Sequence, residues 1–173
     1  MSSTTCRAGS SKPSNVANAG KSSLLNSLTK AKAKIGSYQF TTLSPNLGDL
    51  YGFIIADIPG LIEGAHEGKG LGHKFLRHIA RTKMLLHCIS CEHEKPMEVY
   101  KTIRNELKKY DPALLEKTEV ILLTKTDMVD EKVLKSHIKL FQKTHKDVLS
   151  LSIIDDASIK TLSDSLVKIL GKL

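Results

Sequence analysis

The stretch that decides the fold is Asn15-Val-Ala-Asn-Ala-Gly20-Lys21-Ser22, which leads into a helical pattern over residues 22–28. It fits G-x-x-x-x-G-K-[ST] except at its first position, where asparagine replaces glycine. Asparagine tolerates the left-handed backbone region better than most residues, so we expect the loop to be retained. Backbone N–H groups of such a loop, with the following helix N-terminus, form a positive nest for phosphates. We predict that Lys21 reaches the β- and γ-phosphates and that the Ser22 hydroxyl binds Mg²⁺.

Short apolar runs alternate with helical periodicity along the rest of the chain. Strands that alternate with helices imply a mostly parallel sheet covered by helices on both faces, an α/β fold. Ligands of such sheets bind in the loops at the carboxyl ends of the strands. The predicted strands are residues 53–58, 84–90, 120–123 and 148–152, and the predicted helices cover residues 22–28, 99–110, 133–141 and 159–170.

The motif Asp57-Ile-Pro-Gly60 follows the first of these strands. A carboxylate at that strand end can hold the Mg²⁺ shell, usually through water, because Mg²⁺ keeps several of its waters. Gly60 can place its N–H near a γ-phosphate and act as a switch hinge. An ordinary strand-ending turn is the alternative interpretation.

The motif Thr124-Lys125-Thr126-Asp127 follows a later strand. The carboxylate of Asp127 can accept hydrogen bonds from guanine N1–H and the 2-amino group, a donor pair that adenine lacks. We expect Lys125 to lie along the base and the phosphate-loop backbone. Thr124 stands where most GTPases have asparagine, so one loop-tethering hydrogen bond is expected to be lost. A helix capped by Asp127 is the alternative.

The pair Ser152-Ile153 follows the last predicted strand, where GTPases usually have Ser-Ala. We expect a backbone N–H here to contact guanine O6. The position of the pair, more than its composition, supports this prediction.

The net charge of +8 and the pI near 9.4 favour an anionic partner such as RNA. Lysines cluster at residues 30–34, and a second basic run covers residues 69–83. A solvated lysine-rich helix face is the alternative. No apolar run approaches the length needed to span a bilayer.

Three cysteines argue against a disulfide scaffold and suit a reducing compartment. Cys88 and Cys91 form a C-x-x-C, but no second pair completes a tetrahedral metal site. We interpret residues 84–90 as a buried strand instead. Residues 1–15 are polar and are expected to be a disordered or truncated N-terminal segment, with no apolar core of a secretory signal.

Several stretches resemble the GTPase domain of the Obg family, from about residue 16 to the C-terminus. They are Asn18-Ala-Gly-Lys-Ser-Ser-Leu-Leu-Asn26, Ile35-Gly-Ser-Tyr-Gln-Phe-Thr-Thr-Leu-Ser-Pro-Asn-Leu-Gly48, Ala56-Asp-Ile-Pro-Gly-Leu-Ile-Glu-Gly-Ala65, Gly68-Lys-Gly-Leu-Gly-His-Lys-Phe-Leu-Arg77 and Arg104-Asn-Glu-Leu-Lys-Lys-Tyr-Asp111. The resemblance implies a P-loop NTPase fold, a Ras-like G domain of the translation-factor-like class, over residues 16–173.

The same resemblance implies roles for residues in two switch segments. Thr42, rather than Thr41, is the switch I threonine that closes on Mg²⁺, and residues 57–77 form switch II. Leu61 stands where many GTPases hold a water-orienting glutamine, so hydrolysis is expected to be slow. Asn18 matches an asparagine that helps hold K⁺ against the phosphates in related potassium-stimulated GTPases.

The predicted site therefore has three overlapping groups of residues. The catalytic residues are Lys21, Thr42 and Gly60, and the metal ligands are Ser22, Thr42 and Asp57. The nucleotide-binding residues are Asn15, Asn18, Ala19, Gly20, Lys21, Ser22, Ser23, Thr124, Lys125, Asp127, Ser152 and Ile153.

We expect a domain that binds GTP and GDP with Mg²⁺, with K⁺ as a second candidate cofactor, and hydrolyses GTP slowly. The alternative is a degenerate nucleotide- or RNA-binding module with little or no turnover. Obg proteins act in assembly of the large ribosomal subunit, so the ribosome or its RNA is the implied partner. A monomer in the bacterial cytoplasm is expected, with an organelle as the alternative location.

Overall fold

The computed structural model describes residues 3–8, 21–29, 34–35, 46–57, 82–145 and 147–173. Its strands are β1 (Ser3–Ala8), β2 (Lys34–Ile35), β3 (Asn46–Leu50), β4 (Phe53–Asp57), β5 (Met84–Ser90), β6 (Thr118–Thr124) and β7 (Val148–Leu151). The α-helices are α1 (Lys21–Leu28), α2 (Pro96–Tyr110), α3 (Glu131–Gln142) and α4 (Asp156–Leu170). Short 3-10 helices cover Pro112–Glu116 and Thr126–Met128.

The described strands form one seven-stranded sheet in the order β2-β3-β4-β1-β5-β6-β7. Strands β4, β1, β5, β6 and β7 run parallel to one another, whereas β3 is antiparallel to both β2 and β4. This arrangement confirms the predicted α/β fold with a mostly parallel sheet. All the parallel strands consequently present their carboxyl ends at one edge.

Helices cover the sheet on both faces. Leucines of α1 and α4 pack on one face with Met84, Leu86 and Cys88 of β5. Apolar residues of α2 and Phe141 of α3 pack on the other face with Leu85 and Ile89. Every residue of β5 is buried, as expected for a parallel strand that has helices on both sides.

The expectation of disorder over residues 1–15 does not hold for Ser3–Ala8, which form β1. This strand is central in the sheet and pairs with both β4 and β5. Its sequence, Ser-Thr-Thr-Cys-Arg-Ala, lacks the apolar run that marks β5. Backbone pairing on two sides supplies the strand context, because β propensity depends strongly on neighbours. Residues 1–2 and 9–15 lie outside the described residues.

The β3–β4 hairpin is set by its turn and by one glycine. Tyr51 and Gly52 both have positive φ, 50° and 87°, which is the backbone of a tight type I′ turn. The Gly52 N–H donates to Asp49 Oδ1 at 3.1 Å. On β3, a Cβ added to Gly48 would lie 2.2 Å from Thr29 Cγ2. Glycine at 48 therefore lets the strand approach the end of α1.

Candidate nucleotide-binding site

Part of the predicted site can be placed in the fold. Lys21 and Ser22 are the first two residues of α1, and Ser23 is exposed beside them. In chain order the predicted phosphate-loop motif falls after β1 and runs into the start of α1, the sequence context that such a motif requires. Six predicted residues lie outside the described residues: Asn15, Asn18, Ala19, Gly20, Thr42 and Gly60.

Asp57 is the last residue of β4, at the carboxyl edge of the sheet. It is 4% exposed and lies in register with Cys6 of β1, the strand that leads towards the phosphate loop. A buried carboxylate is stable only with hydrogen bonds, an opposite charge or a metal beside it. This placement fits a role in the shell of a cation bound next to the loop.

The Thr124–Asp127 segment forms the loop that leaves β6 at the same edge; we call it the base loop. Thr124 is buried, and its carbonyl accepts a hydrogen bond of 2.9 Å from Cys91 N–H in the loop after β5. Lys125 has left-handed backbone angles, φ 56° and ψ 45°, and starts the 3-10 turn that follows. A non-glycine residue in this region is uncommon and marks a loop held by its surroundings.

The carboxylate of Asp127 is exposed and is held by Ser152. Ser152 Oγ donates to Asp127 Oδ1 at 2.7 Å, and the Ser152 N–H donates to Ser158 Oγ at 3.1 Å. An ionised carboxylate has about four acceptor positions, so one bond to serine leaves capacity for a ligand. The structure thereby brings together Asp127 and Ser152, which the sequence analysis placed in one site. The side-chain link itself was not predicted.

Lys125 is paired with Glu92, a residue that the sequence analysis did not select. Lys125 Nζ lies 2.5 Å from Glu92 Oε2, and Ser90 Oγ donates to the same oxygen at 3.1 Å. The hydrogen bond from Lys125 holds the pKa of the Glu92 carboxyl below its usual value. No sequence motif indicates this pair, because it depends on the parallel register of β5 and β6.

Ile153 follows Ser152 in the turn between β7 and α4. It is 39% exposed, and Ile154 beside it is 78% exposed. Asp155 caps α4 by accepting hydrogen bonds from Ala157 N–H and Ser158 N–H at 3.1 and 3.2 Å. The turn is thus anchored at the helix end and presents two apolar side chains to solvent.

The C-x-x-C pair is structural. Cys88 and Cys91 are both buried, and neither forms a disulfide. Burial raises the pKa of Cys91 to about 11, and the Asp127 carboxylate adds to the rise. A thiol that stays protonated is a poor metal ligand, since metals bind the thiolate. Within the described ranges there is no group of three or more His, Cys, Asp or Glu side chains suited to a metal ion.

A groove of about 680 Å³ lies beside the base loop. It runs between the loop after β5 and the first half of α3, and its lining includes Glu92, Met128 and His137. None of the described residues that are predicted to contact the nucleotide lines this groove. In the part of the chain with described coordinates, no helix is long and apolar enough to cross a membrane.

The parallel sheet with two polar loops at one edge, and the phosphate-loop motif between β1 and α1 in the sequence, define a P-loop nucleotide-binding fold. The chain belongs to the family of 50S ribosome-binding GTPases, whose family model matches residues 16–125. The resemblance to the Obg family is confirmed by curated relatives.

These relatives are proteins named GTPase Obg. The one from Pelagibacter ubique is 49% identical over 155 residues, which cover 87% of this chain and 47% of the relative. The one from Microcystis aeruginosa is 44% identical over 151 residues, covering 84% and 44%. A third, from Brachyspira hyodysenteriae, is 52% identical over 134 residues, covering 75% and 20%. The chain thus spans less than half the length of these relatives.

Solved structures share the fold at lower identity. A GTP-binding protein of Sulfolobus solfataricus in complex with GDP has a TM-score of 0.67 at 18% identity, over 99% of this chain and 53% of that one. An Aquifex aeolicus Era variant bound to GDP and AlF4⁻ has a TM-score of 0.61 at 22% identity, over 100% and 57%. At these identities the similarity concerns the fold alone.

Proposed function

We propose that this domain binds GTP and GDP with Mg²⁺ and hydrolyses GTP slowly. One observation carries the proposal: the exposed carboxylate of Asp127 is fixed by Ser152, at the sheet edge where Asp57 also lies. A carboxylate held in this way is preorganised to accept the N1–H and 2-amino hydrogens of guanine. Family membership supports the same activity.

The residues proposed for the phosphate end of the site are assigned from the sequence motifs and the family resemblance. Lys21 would neutralise the β- and γ-phosphates, while Ser22, Thr42 and Asp57 would hold Mg²⁺. Gly60 would offer its N–H to the γ-phosphate. Catalysis would then come from positioning a water molecule and stabilising phosphate charge. Leu61 cannot orient that water, so turnover is slow. K⁺ held near Asn18 would supply part of the missing positive charge.

The ribosome, through the RNA of its large subunit, is the proposed partner. The net charge of +8 supports a polyanionic surface as the target. The family description and the Obg relatives support the same choice. A monomer acting in the bacterial cytoplasm fits this role, with an organelle as the alternative.

Titration of fluorescent GDP and GTP in the presence of Mg²⁺ tests nucleotide binding. We expect saturable binding by the unaltered protein and its loss in Lys21→Ala and Asp127→Ala. Asp130→Ala is the matched control, because Asp130 is an exposed carboxylate three residues away whose side chain makes no capping bond. Equal binding by all four proteins would contradict the proposed site.

Release of phosphate under multiple turnover tests hydrolysis separately from binding. We expect sustained release that depends on Lys21 and is faster in KCl than in NaCl. Binding without sustained release would identify the domain as a nucleotide-binding module, the alternative that Leu61 favours. Equal rates in the two salts would exclude the proposed role of K⁺.

A further inference from the structure

Lys125 is held by a carboxylate that lies outside the Thr-Lys-Thr-Asp motif. Its ammonium group bonds Glu92 Oε2, and that carboxylate is itself anchored at the end of β5. Ser90 Oγ donates to the carboxylate at 3.1 Å and accepts a hydrogen bond of 3.3 Å from Glu92 N–H. Glu92 is thus fixed by side-chain and backbone contacts to one buried serine.

The loop that carries Glu92 is also tied to the base loop through the backbone. Ser90 is in register with Thr124, and Cys91 N–H bonds the Thr124 carbonyl at 2.9 Å. The two loops therefore have a fixed separation at the point where Lys125 turns into its left-handed conformation. From this turn the Lys125 side chain reaches the Glu92 carboxylate, which Ser90 already holds in position.

We propose that Glu92 is a positioning residue for guanine nucleotides and acts by holding Lys125 in the orientation that packs along the base. The inference rests on the proposed role of Lys125 in nucleotide binding. Thr124 stands where an asparagine usually tethers this loop, and the Glu92–Lys125 pair provides a tether in its place. In this role the Glu92 carboxylate contacts Lys125 and does not contact the nucleotide itself.

Energetics favour a positioning role over a stabilising one. The Lys125 and Glu92 side chains are 31% and 42% exposed, and exposed ion pairs contribute little to the free energy of unfolding. A lysine has much rotamer freedom, so a nucleotide that met a free Lys125 would have to order it. Glu92 removes that entropic cost before binding, which slows nucleotide dissociation.

Dissociation of fluorescent GDP, chased with unlabelled GDP in a stopped-flow instrument, tests the proposal. Four proteins are compared with the unaltered one: Glu92→Gln, Lys125→Met, the double variant and Glu94→Gln. The last is the matched control, because Glu94 is an exposed carboxylate two residues further along the same loop. Thermal unfolding of each protein checks that the variants remain folded.

We expect Glu92→Gln to speed GDP dissociation by about three- to tenfold, as for the loss of one preorganising contact. Glu94→Gln should change it by less than about twofold. The double variant should release GDP at the same rate as Lys125→Met, because Glu92 acts only through the lysine. A purely structural role for Glu92 would instead make the two effects add.

Two results would overturn the proposal alone, and a third would instead show that the proposed function fails. If Glu92→Gln leaves dissociation unchanged or slows it while Lys125→Met speeds it, Glu92 is not a positioning residue. Additive effects in the double variant would show that it acts by another route. If the unaltered protein shows no saturable GDP binding, the proposed function itself fails and the inference falls with it.

Discussion

The two ends of strand β6 both carry polar residues, but these residues are used in opposite ways. At its amino end, Glu119 is buried in a network with Tyr100 and Arg104 of α2 and with two histidines. At its carboxyl end, Lys125 and Asp127 each have one described side-chain partner, from a neighbouring loop, and remain accessible. The first set of groups is largely buried, whereas the second remains accessible to a ligand.

The buried network is dense. Tyr100 Oη donates to Glu119 Oε2 at 2.5 Å, and Arg104 Nη1 donates to both, at 3.0 Å to the hydroxyl and 3.1 Å to the carboxylate. His145 Nε2 lies 2.7 Å from the Tyr100 hydroxyl. Burial, followed by the bond to Glu119, raises the pKa of Tyr100, so the phenol stays protonated. A cluster of titratable side chains therefore indicates a binding site only when its groups are accessible to a ligand.

The largest expected effect is a loss of stability in the Glu119→Ala variant. The variant leaves Arg104 and Tyr100 without their buried carboxylate, which should lower the free energy of unfolding by about 3 kcal/mol. Urea unfolding followed by circular dichroism measures this change. The matched control is Glu116→Ala, an exposed carboxylate three residues earlier, with an expected change within about 0.5 kcal/mol. A lower GDP affinity in the folded Glu119→Ala variant would contradict the distinction between the two ends of β6.

Tyr100→Phe should have the next largest effect. Loss of the hydroxyl removes a partner of both Glu119 and His145 while the ring stays packed against Phe141. We expect destabilisation of about 1–2 kcal/mol. Tyr51→Phe is the control, because Tyr51 is 76% exposed on the β3–β4 turn. Equal stability of the two variants would mean that the network contributes nothing measurable.

Ser152 lies beside the carboxyl end of β6, where it bonds Asp127. The Ser152→Ala variant should weaken GDP binding rather than destabilise the fold. Without its bond to Ser152, the Asp127 carboxylate is less well positioned, so GDP affinity should fall by roughly five- to tenfold. Ser150→Ala on β7, the strand that ends just before Ser152, is the control, since Ser150 is exposed. Isothermal titration calorimetry measures both. An unchanged affinity in Ser152→Ala would remove the serine from the site.

The smallest expected effect is on the pH dependence of stability. Burial alone would raise the pKa of Glu119, but His87, Tyr100 and Arg104 together hold it below its ordinary value of 4.5. A depressed carboxyl pKa stabilises the fold above the ordinary value and loses this contribution as the pH falls through the folded value. The stability advantage over Glu119→Gln should therefore be constant above about pH 5 and decline below it. Urea unfolding between pH 7 and pH 3 measures it, and an advantage that grew in acid would contradict the argument.

The sequence predicts four strands of the described sheet, β4 to β7, whereas the roles of the candidate site residues stay predictions. Strands β5 and β6 follow from buried apolar runs, and the Thr124–Asp127 segment follows from its position after one of them. Strand β1 was not predicted, because its pairing with β4 and β5, and not its composition, makes it a strand. Pairing between strands that are distant in sequence is a tertiary property, which local sequence patterns do not predict.

The partners of the predicted residues were also beyond sequence reasoning. Glu92 meets Lys125 across 33 positions of sequence, and Ser152 meets Asp127 across 25. Both contacts depend on the register of three neighbouring strands. Arg104 lies in a stretch that carries the family resemblance, yet its role in the Glu119 network emerges only when α2 packs on β6.

We propose that Asp127, in the base loop after β6, recognises guanine, and replacing this residue by asparagine tests that role. Xanthine has a carbonyl where guanine has its 2-amino group, so an asparagine amide should pair with xanthine and not with guanine. We predict that Asp127→Asn lowers GDP affinity by at least about 100-fold, as for two lost charge-assisted hydrogen bonds, and binds xanthosine diphosphate instead. An Asp127→Asn variant that still preferred GDP to xanthosine diphosphate would contradict guanine recognition by Asp127.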